Sequence, residues 1–167
     1  KGKNKMLREI NTKLNAFEIY TIFKDENDSF ILDSAMDPEK LGRYSFISSN
    51  PFKKIKAKDS KTNPLDDLEE ELNDTHLPFV GGAVGYLSYD LGNYMEKLPK
   101  IAEDDMNVYD LYFGFYNWVV VVDHLENKTY IATPNLDRQK EESLIDEIER
   151  KIKNAEQNGI DPICYET

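Results

Sequence analysis

The passage Gly81-Gly-Ala-Val-Gly-Tyr-Leu-Ser-Tyr-Asp-Leu-Gly92 constrains this chain most, because three glycines fall within five positions of an apolar, aromatic segment. Glycine has no Cβ, so such a cluster marks either backbone that comes very close to another group or a loop that wraps an anion. The spacing argues against the loop. A dinucleotide fingerprint needs G-x-G-x-x-G between strand and helix, and a P-loop needs G-x-x-x-x-G-K-[ST]. Here Gly81, Gly82 and Gly85 are followed by Tyr86, with no Lys-Ser/Thr. The passage is expected to be a packing strand that runs into a helix near Tyr89–Met95. A second backbone, or a ring such as Tyr86, Tyr89 or Trp118, would lie close against Ala83 and Gly85.

Around it, strand and helix signals are mixed. Ser29–Ser34 reads as a short buried strand, Arg43–Ser49 as a second and Phe52–Lys58 as a third, with turn residues Asp37-Pro38 between the first two. In the third, Lys54, Lys56 and Lys58 alternate with Ile55 and Ala57, which is a solvated face or protected edge unless the lysines hold an anion. Asp110–Asp123 is aromatic and β-branched, a central strand or a bent pair with Gly114 at the bend, and Asn127-Lys128 reads as a hairpin turn into Thr129–Thr133. Asn63-Pro64 opens a helix with Asn as cap, Asp66 and Asp67 in the first turn and Leu65, Leu68 and Leu72 on one stripe. Another helix is expected near Asp137–Gln157, with Leu144, Ile145, Ile148 and Ile152 on one face and Asp146/Arg150, Glu147/Lys151 and Glu149/Lys153 as i, i+4 pairs. Residues 15–23 stay ambiguous: Asn15 and Glu18 fit a capping box, while Phe17, Ile19, Thr21 and Phe23 alternate as a strand would. Hairpins separated by helices, without regular βαβ alternation, predict an α+β fold: largely antiparallel sheet or sandwich with helices packed outside.

Composition narrows the chemistry. With 167 residues, 40% of them apolar, the chain has room for one domain with its own core or one lobe of something larger, and residues 1–167 are expected to form a single domain. The longest apolar run is Trp118–Val122, far short of the roughly 20 residues of a membrane span. A net charge of −11 argues against general nucleic-acid binding. One cysteine, Cys164, and an N-terminus without an apolar leader predict a cytoplasmic protein. His76 and His124 are far apart, so no zinc spacing exists, and no metal site is expected. Glu103-Asp104-Asp105 reads as solvated loop. Asp123-His124 resembles a dyad, but neighbours on a strand point to opposite faces, and no G-x-S-x-G elbow is present.

Three segments carry a resemblance. Leu77–Pro99, with the glycine passage inside it, Phe30–Phe52 (FILDSAMDPEKLGRYSFISSNPF) and Asp110–His124 (DLYFGFYNWVVVVDH) together resemble the N-terminal domain of chorismate-utilising synthases, the family of anthranilate synthase component I and aminodeoxychorismate synthase component I. They run in order from about Phe17 to Pro134. Asp33-Ser34-Ala-Met-Asp-Pro, Ile101–Asp105 and Gly114–Trp118 look more like the aminodeoxychorismate branch, which serves p-aminobenzoate and folate synthesis. The resemblance implies that catalysis, with its Mg²⁺, belongs to a C-terminal chorismate-binding domain outside these residues, so that this stretch alone has no catalytic residues, no cofactor and no activity. The partners it implies are a glutaminase subunit, the chain's own C-terminal catalytic domain, and tryptophan. A feedback domain of anthranilate synthase and a free-standing amino-acid-binding module are the alternatives.

The tryptophan-type pocket implied by the resemblance falls on Asp33 and Ser34, and on Leu41, Gly42, Arg43, Tyr44 and Ser45. A zwitterion needs an acceptor for its ammonium, donors for its carboxylate and an apolar slot for its ring. The competing arrangement is a surface pair between Arg43 and Asp33 with Tyr44 in the core. Where the family more often has Glu this chain has Asp33, and the expectation is that the isolated stretch binds tryptophan no tighter than weakly.

Overall fold

A computed structural model describes residues 6–33, 42–58, 63–73, 83–88, 91–95, 108–133 and 138–160. In chain order the elements are β1 (Met6–Ile10), α1 (Ala16–Phe23), β2 (Phe30–Leu32), β3 (Tyr44–Ser48), β4 (Lys53–Ala57), α2 (Pro64–Asn73), β5 (Ala83–Leu87), α3 (Gly92–Met95), β6 (Leu111–Phe115), β7 (Val119–Asp123), β8 (Lys128–Thr133) and α4 (Arg138–Asn158). The α+β class and the antiparallel pairing hold throughout. The elements divide into two compact units, one with β1, α1, β2, β3, β7, β8 and α4, the other with β4, α2, β5, α3 and β6.

The first unit is a five-stranded sheet in the order β1-β8-β7-β3-β2, with α1 and α4 against it. Alternation puts Ile47, Val120, Val122, Ile131 and Ile10 on one face, where Ile19 and Phe23 of α1 and Ile145, Ile148 and Ile152 of α4 close the core. The Asn15 capping box settles the ambiguous segment as helix: the Asn15 side chain accepts from the Glu18 amide at 2.9 Å, and Glu18 accepts from the Asn15 amide at 2.8 Å. In α4 Ile145, Ile148 and Ile152 are buried as expected and Leu144 is half-buried, and Glu147–Lys151 and Glu149–Lys153 form at 3.4 and 2.9 Å. Asp146 instead turns to Arg8 of β1, which also reaches Glu149 at 3.3 Å. β2 is a three-residue edge strand with Leu32 50% exposed, rather than a buried strand.

The second unit is a three-stranded sheet, β4-β6-β5. β4 is one of its two edges, with Lys54 and Lys56 exposed and Ile55 and Ala57 half-buried, as a protected edge strand should be. Lys56 places its ammonium 5.2 Å from the Tyr109 ring centroid. In α2, Asn63 caps by accepting from the Leu65 amide at 3.1 Å, and Pro64 occupies the first helical position. The run 110–123 is two strands, but Gly114 is not the bend: it lies inside β6, opposite both Lys54 and Val84. The break comes at Tyr116–Trp118, where the chain leaves one sheet for the other. There the Tyr116 hydroxyl donates to the Asp28 carbonyl at 2.8 Å, and Ser48 donates to the Trp118 carbonyl at 2.7 Å.

Candidate functional site

The register of the five-stranded sheet determines which polar groups meet. Leu32 pairs with Phe46 and Tyr44 with Asp123, so the end of β2, the start of β3 and the end of β7 converge at one end of the sheet. The His124 amide then donates to the Arg43 carbonyl at 2.8 Å, extending the β3–β7 ladder by one step. Alternation along β3 sends Ser45 to the face of Ile47 and sends Tyr44 and Phe46 to the other.

On the Ser45 face lies a three-residue chain of contacts. Ser45 is fully buried, and its hydroxyl donates to Asp33 Oδ1 at 2.5 Å. His124 Nε2 lies 2.6 Å from the same Oγ and 3.8 Å from Asp33 Oδ1. Asp33 remains 42% exposed and His124 30% exposed, and among the described residues no Lys or Arg pairs with Asp33. The order of contacts limits the chemistry. A nucleophilic serine gives its proton to a histidine that a carboxylate orients. Here the serine sits in the middle with its hydrogen on the carboxylate side. This arrangement fixes a carboxylate in place and suits it to accept hydrogen bonds from a cationic group.

On the other side Arg43 is committed elsewhere. Its Nε contacts Asp123 Oδ1 and Oδ2 at 3.1 and 3.2 Å, its Nη2 contacts Oδ2 at 2.8 Å, and Nη2 also reaches Glu126 Oε1 at 3.3 Å. The guanidinium stands 4.9 Å from the Tyr44 ring centroid. Asp123, 3% exposed, also accepts from the Leu125 and Glu126 amides at 3.0 and 3.1 Å, tying off the β7–β8 turn, in which Asn127 takes a φ of 52°.

Thus Asp33 and Ser45 meet, whereas Arg43 and Tyr44 belong to a separate cluster around Asp123, and Gly42 is buried beside them in sequence. The competing Arg43–Asp33 pair does not form, and Tyr44 is 37% exposed rather than core. Ser34 and Leu41 lie outside the described residues, as do His76, Cys164 and the acidic run Glu103–Asp105. Asp123 and His124 do point to different partners, as their adjacency requires. Sequence reasoning missed that each then joins a cluster; the signal available was the antiparallel register of β3 with β7. Among the described residues no group of three or more His, Cys, Asp or Glu side chains could hold a metal. No helix among them is long and apolar enough to cross a membrane.

The Arg43 hydrogen bonds hold the Asp123 carboxyl down at about 2, below its ordinary 3.8, against the opposing effect of burial. A carboxylate with a lowered folded-state pKa stabilises the fold above its unfolded value and loses that contribution as pH falls through the folded value. The stability difference between wild type and Asp123→Asn is therefore expected to be level above about pH 5 and to shrink as pH falls towards 2. Urea denaturation across that range checks it; a difference unchanged down to pH 2 would remove the charge from the account.

A family model described as chorismate binding enzyme matches residues 27–162. Anthranilate synthase component 1 of Acetivibrio thermocellus is 34% identical over 134 residues, which cover 68% of this chain and 27% of that protein. Aminodeoxychorismate synthase component 1 of Escherichia coli is 38% identical over 81 residues, 44% of this chain and 18% of that protein. The solved anthranilate synthase component I from Streptococcus pneumoniae shares the fold with a TM-score of 0.56 and 25% identity, over 75% of this chain and 32% of that one. The chain thus spans about a quarter to a third of the length of the Acetivibrio and Streptococcus relatives. With the match spanning both compact units and the solved relative reproducing the fold, the chain belongs to the chorismate binding enzyme family.

Proposed function

We propose that the chain is the N-terminal part of an aminodeoxychorismate synthase component I. In that enzyme a glutaminase subunit releases ammonia from glutamine, and the catalytic domain adds it to chorismate to give 4-amino-4-deoxychorismate. In this reading residues 1–167 do not perform the amination. They support the catalytic domain, which carries the Mg²⁺, and hold an amino acid of the tryptophan type at the end of the sheet where β2, β3 and β7 meet.

The observation that carries the pocket is the half-exposed Asp33 carboxylate fixed on the buried Ser45 hydroxyl. A carboxylate already oriented, and without a Lys or Arg partner among the described residues, suits a ligand ammonium. Arg43 would serve a ligand carboxylate only with the guanidinium edge that Asp123 leaves free. The branch is supported by the 38% identity to the Escherichia coli aminodeoxychorismate enzyme. The longer matches to anthranilate synthases, such as 134 residues in the Acetivibrio protein, favour the second reading, a feedback domain of anthranilate synthase component I.

One assay separates the two branches. Full-length protein with its glutaminase, chorismate and glutamine is expected to form a product that becomes p-aminobenzoate only after a lyase is added. Fluorescent anthranilate accumulating directly, without a lyase, would overturn the proposal in favour of the second reading.

A further inference from the structure

We infer that His124 is a positioning residue of the amino acid site: it fixes Ser45, and through Ser45 the Asp33 carboxylate, in the orientation that receives a ligand ammonium. The inference rests on the pocket reading above and adds to it a residue in the turn after β7, beyond the Asp33–Ser34 and Leu41–Ser45 segments that the family resemblance marks.

The hydrogen-bond inventory of the serine carries the argument. A serine hydroxyl has one hydrogen and two acceptor lone pairs. Its hydrogen is directed to Asp33 Oδ1, at 2.5 Å, so the contact with His124 Nε2, at 2.6 Å, must use an Oγ lone pair. Nε2 therefore carries a hydrogen and donates it. Donation into Oγ polarises the hydroxyl and strengthens its bond to the carboxylate. It also stops the hydroxyl from rotating its hydrogen towards His124 and releasing Asp33.

The backbone that carries the imidazole is itself held. The His124 amide donates to the Arg43 carbonyl at 2.8 Å, and the turn that follows is tied to Asp123, which Arg43 grips with two nitrogens. Ser45 is fully buried, so no water competes for its oxygen, while Asp33 keeps 42% of its side chain exposed to receive a ligand. The acceptor is thus on the outside and its support on the inside, which is how a site keeps its geometry before the ligand arrives.

The role predicts a selective defect. In His124→Ala the hydroxyl and carboxylate lose their fixed orientation, and tryptophan affinity is expected to fall about tenfold. Indole-3-propionate, which keeps the ring and carboxylate but lacks the ammonium, makes no use of Asp33 and should bind wild type and variant equally. His124→Gln, whose amide can donate to Ser45 Oγ, should restore tryptophan binding to within about threefold of wild type. Calorimetric titration of the full-length protein with both compounds reads these ratios, and nitrogen-15 spectra of the unliganded protein should show His124 protonated at Nε2. An alanine variant that binds tryptophan as wild type does, one that loses both compounds alike, or a glutamine variant no better than alanine would overturn the positioning role while leaving the pocket intact. Wild-type protein that binds neither compound would overturn the pocket reading, and this inference with it.

Discussion

Gly85→Val is expected to remove β5 from its sheet and to lower the stability of the three-stranded unit by about 3 kcal/mol or more, at or above the upper end of ordinary overpacking. A Cβ built on Gly85 lies 1.8 Å from the Tyr112 carbonyl oxygen and 2.7 Å from Phe113 Cα and the Tyr112 carbonyl carbon. All three are backbone atoms of β6, the strand with which Gly85 pairs, so no side chain can swing aside. The clash can be relieved only by separating the strands, which breaks the register from Ala83↔Phe115 to Leu87↔Leu111 and the Tyr86–Tyr112 stack at 5.9 Å. Amide hydrogen exchange in β5 and β6 is the measurement, because it reads those strands directly. Protection retained in the valine variant would show that the two backbones are not in close approach.

The glycine-rich passage was therefore legible in kind. Absence of a Cβ at Gly85 is a steric requirement, and the group that demands it is a backbone rather than one of the rings Tyr86, Tyr89 or Trp118. Gly81 and Gly82 lie outside the described residues. Helices were legible where a local signal exists: a capping box at Asn15, an Asn-Pro start at 63–64, an apolar stripe along α4. Strand β1 was not anticipated, because Arg8 occupies an inward position between Met6 and Ile10. Its charge is met by Asp146 and Glu149 of α4, partners 138 and 141 residues away that no local window contains.

The same limit governed the candidate site. Asp33 and Ser45 could be named from the resemblance, but Tyr44, adjacent to Ser45, faces the other side because strand residues alternate, and Arg43, just before β3, turns its guanidinium to Asp123 and Glu126. His124 joins Ser45 only through the pairing of β3 with β7 across 79 positions. Similarly, a continuous aromatic and β-branched run gives no sign of where the chain changes sheets. The switch at Tyr116–Trp118 is fixed by hydrogen bonds to Asp28 and Ser48, distant in sequence.

Phe23→Ala and Phe17→Ala turn the one ambiguous segment into a measurement. In a strand, residues 17 and 23 have the same parity and would share a face. In a helix, six residues at about 100° each bring them some 120° apart. In α1 Phe23 is fully buried, its ring 5.0 Å from that of Trp118 and capped by Lys151 Nζ at 5.8 Å from its centroid, whereas Phe17 is 46% exposed. Truncating Phe23 leaves a cavity lined by Trp118 and the α4 stripe and is expected to cost about 3–5 kcal/mol. Truncating Phe17, which meets mainly the Tyr20 ring at 6.3 Å, should cost less than about 1 kcal/mol. Urea denaturation followed by Trp118 emission compares the two, and equal losses would contradict the helix and return the segment to a strand. A loss as large as 5 kcal/mol is comparable to the whole stability of a small domain. Phe23→Ala should thus bring the five-stranded unit close to its unfolding threshold, and with it the end of the sheet on which Asp33, Ser45 and His124 meet.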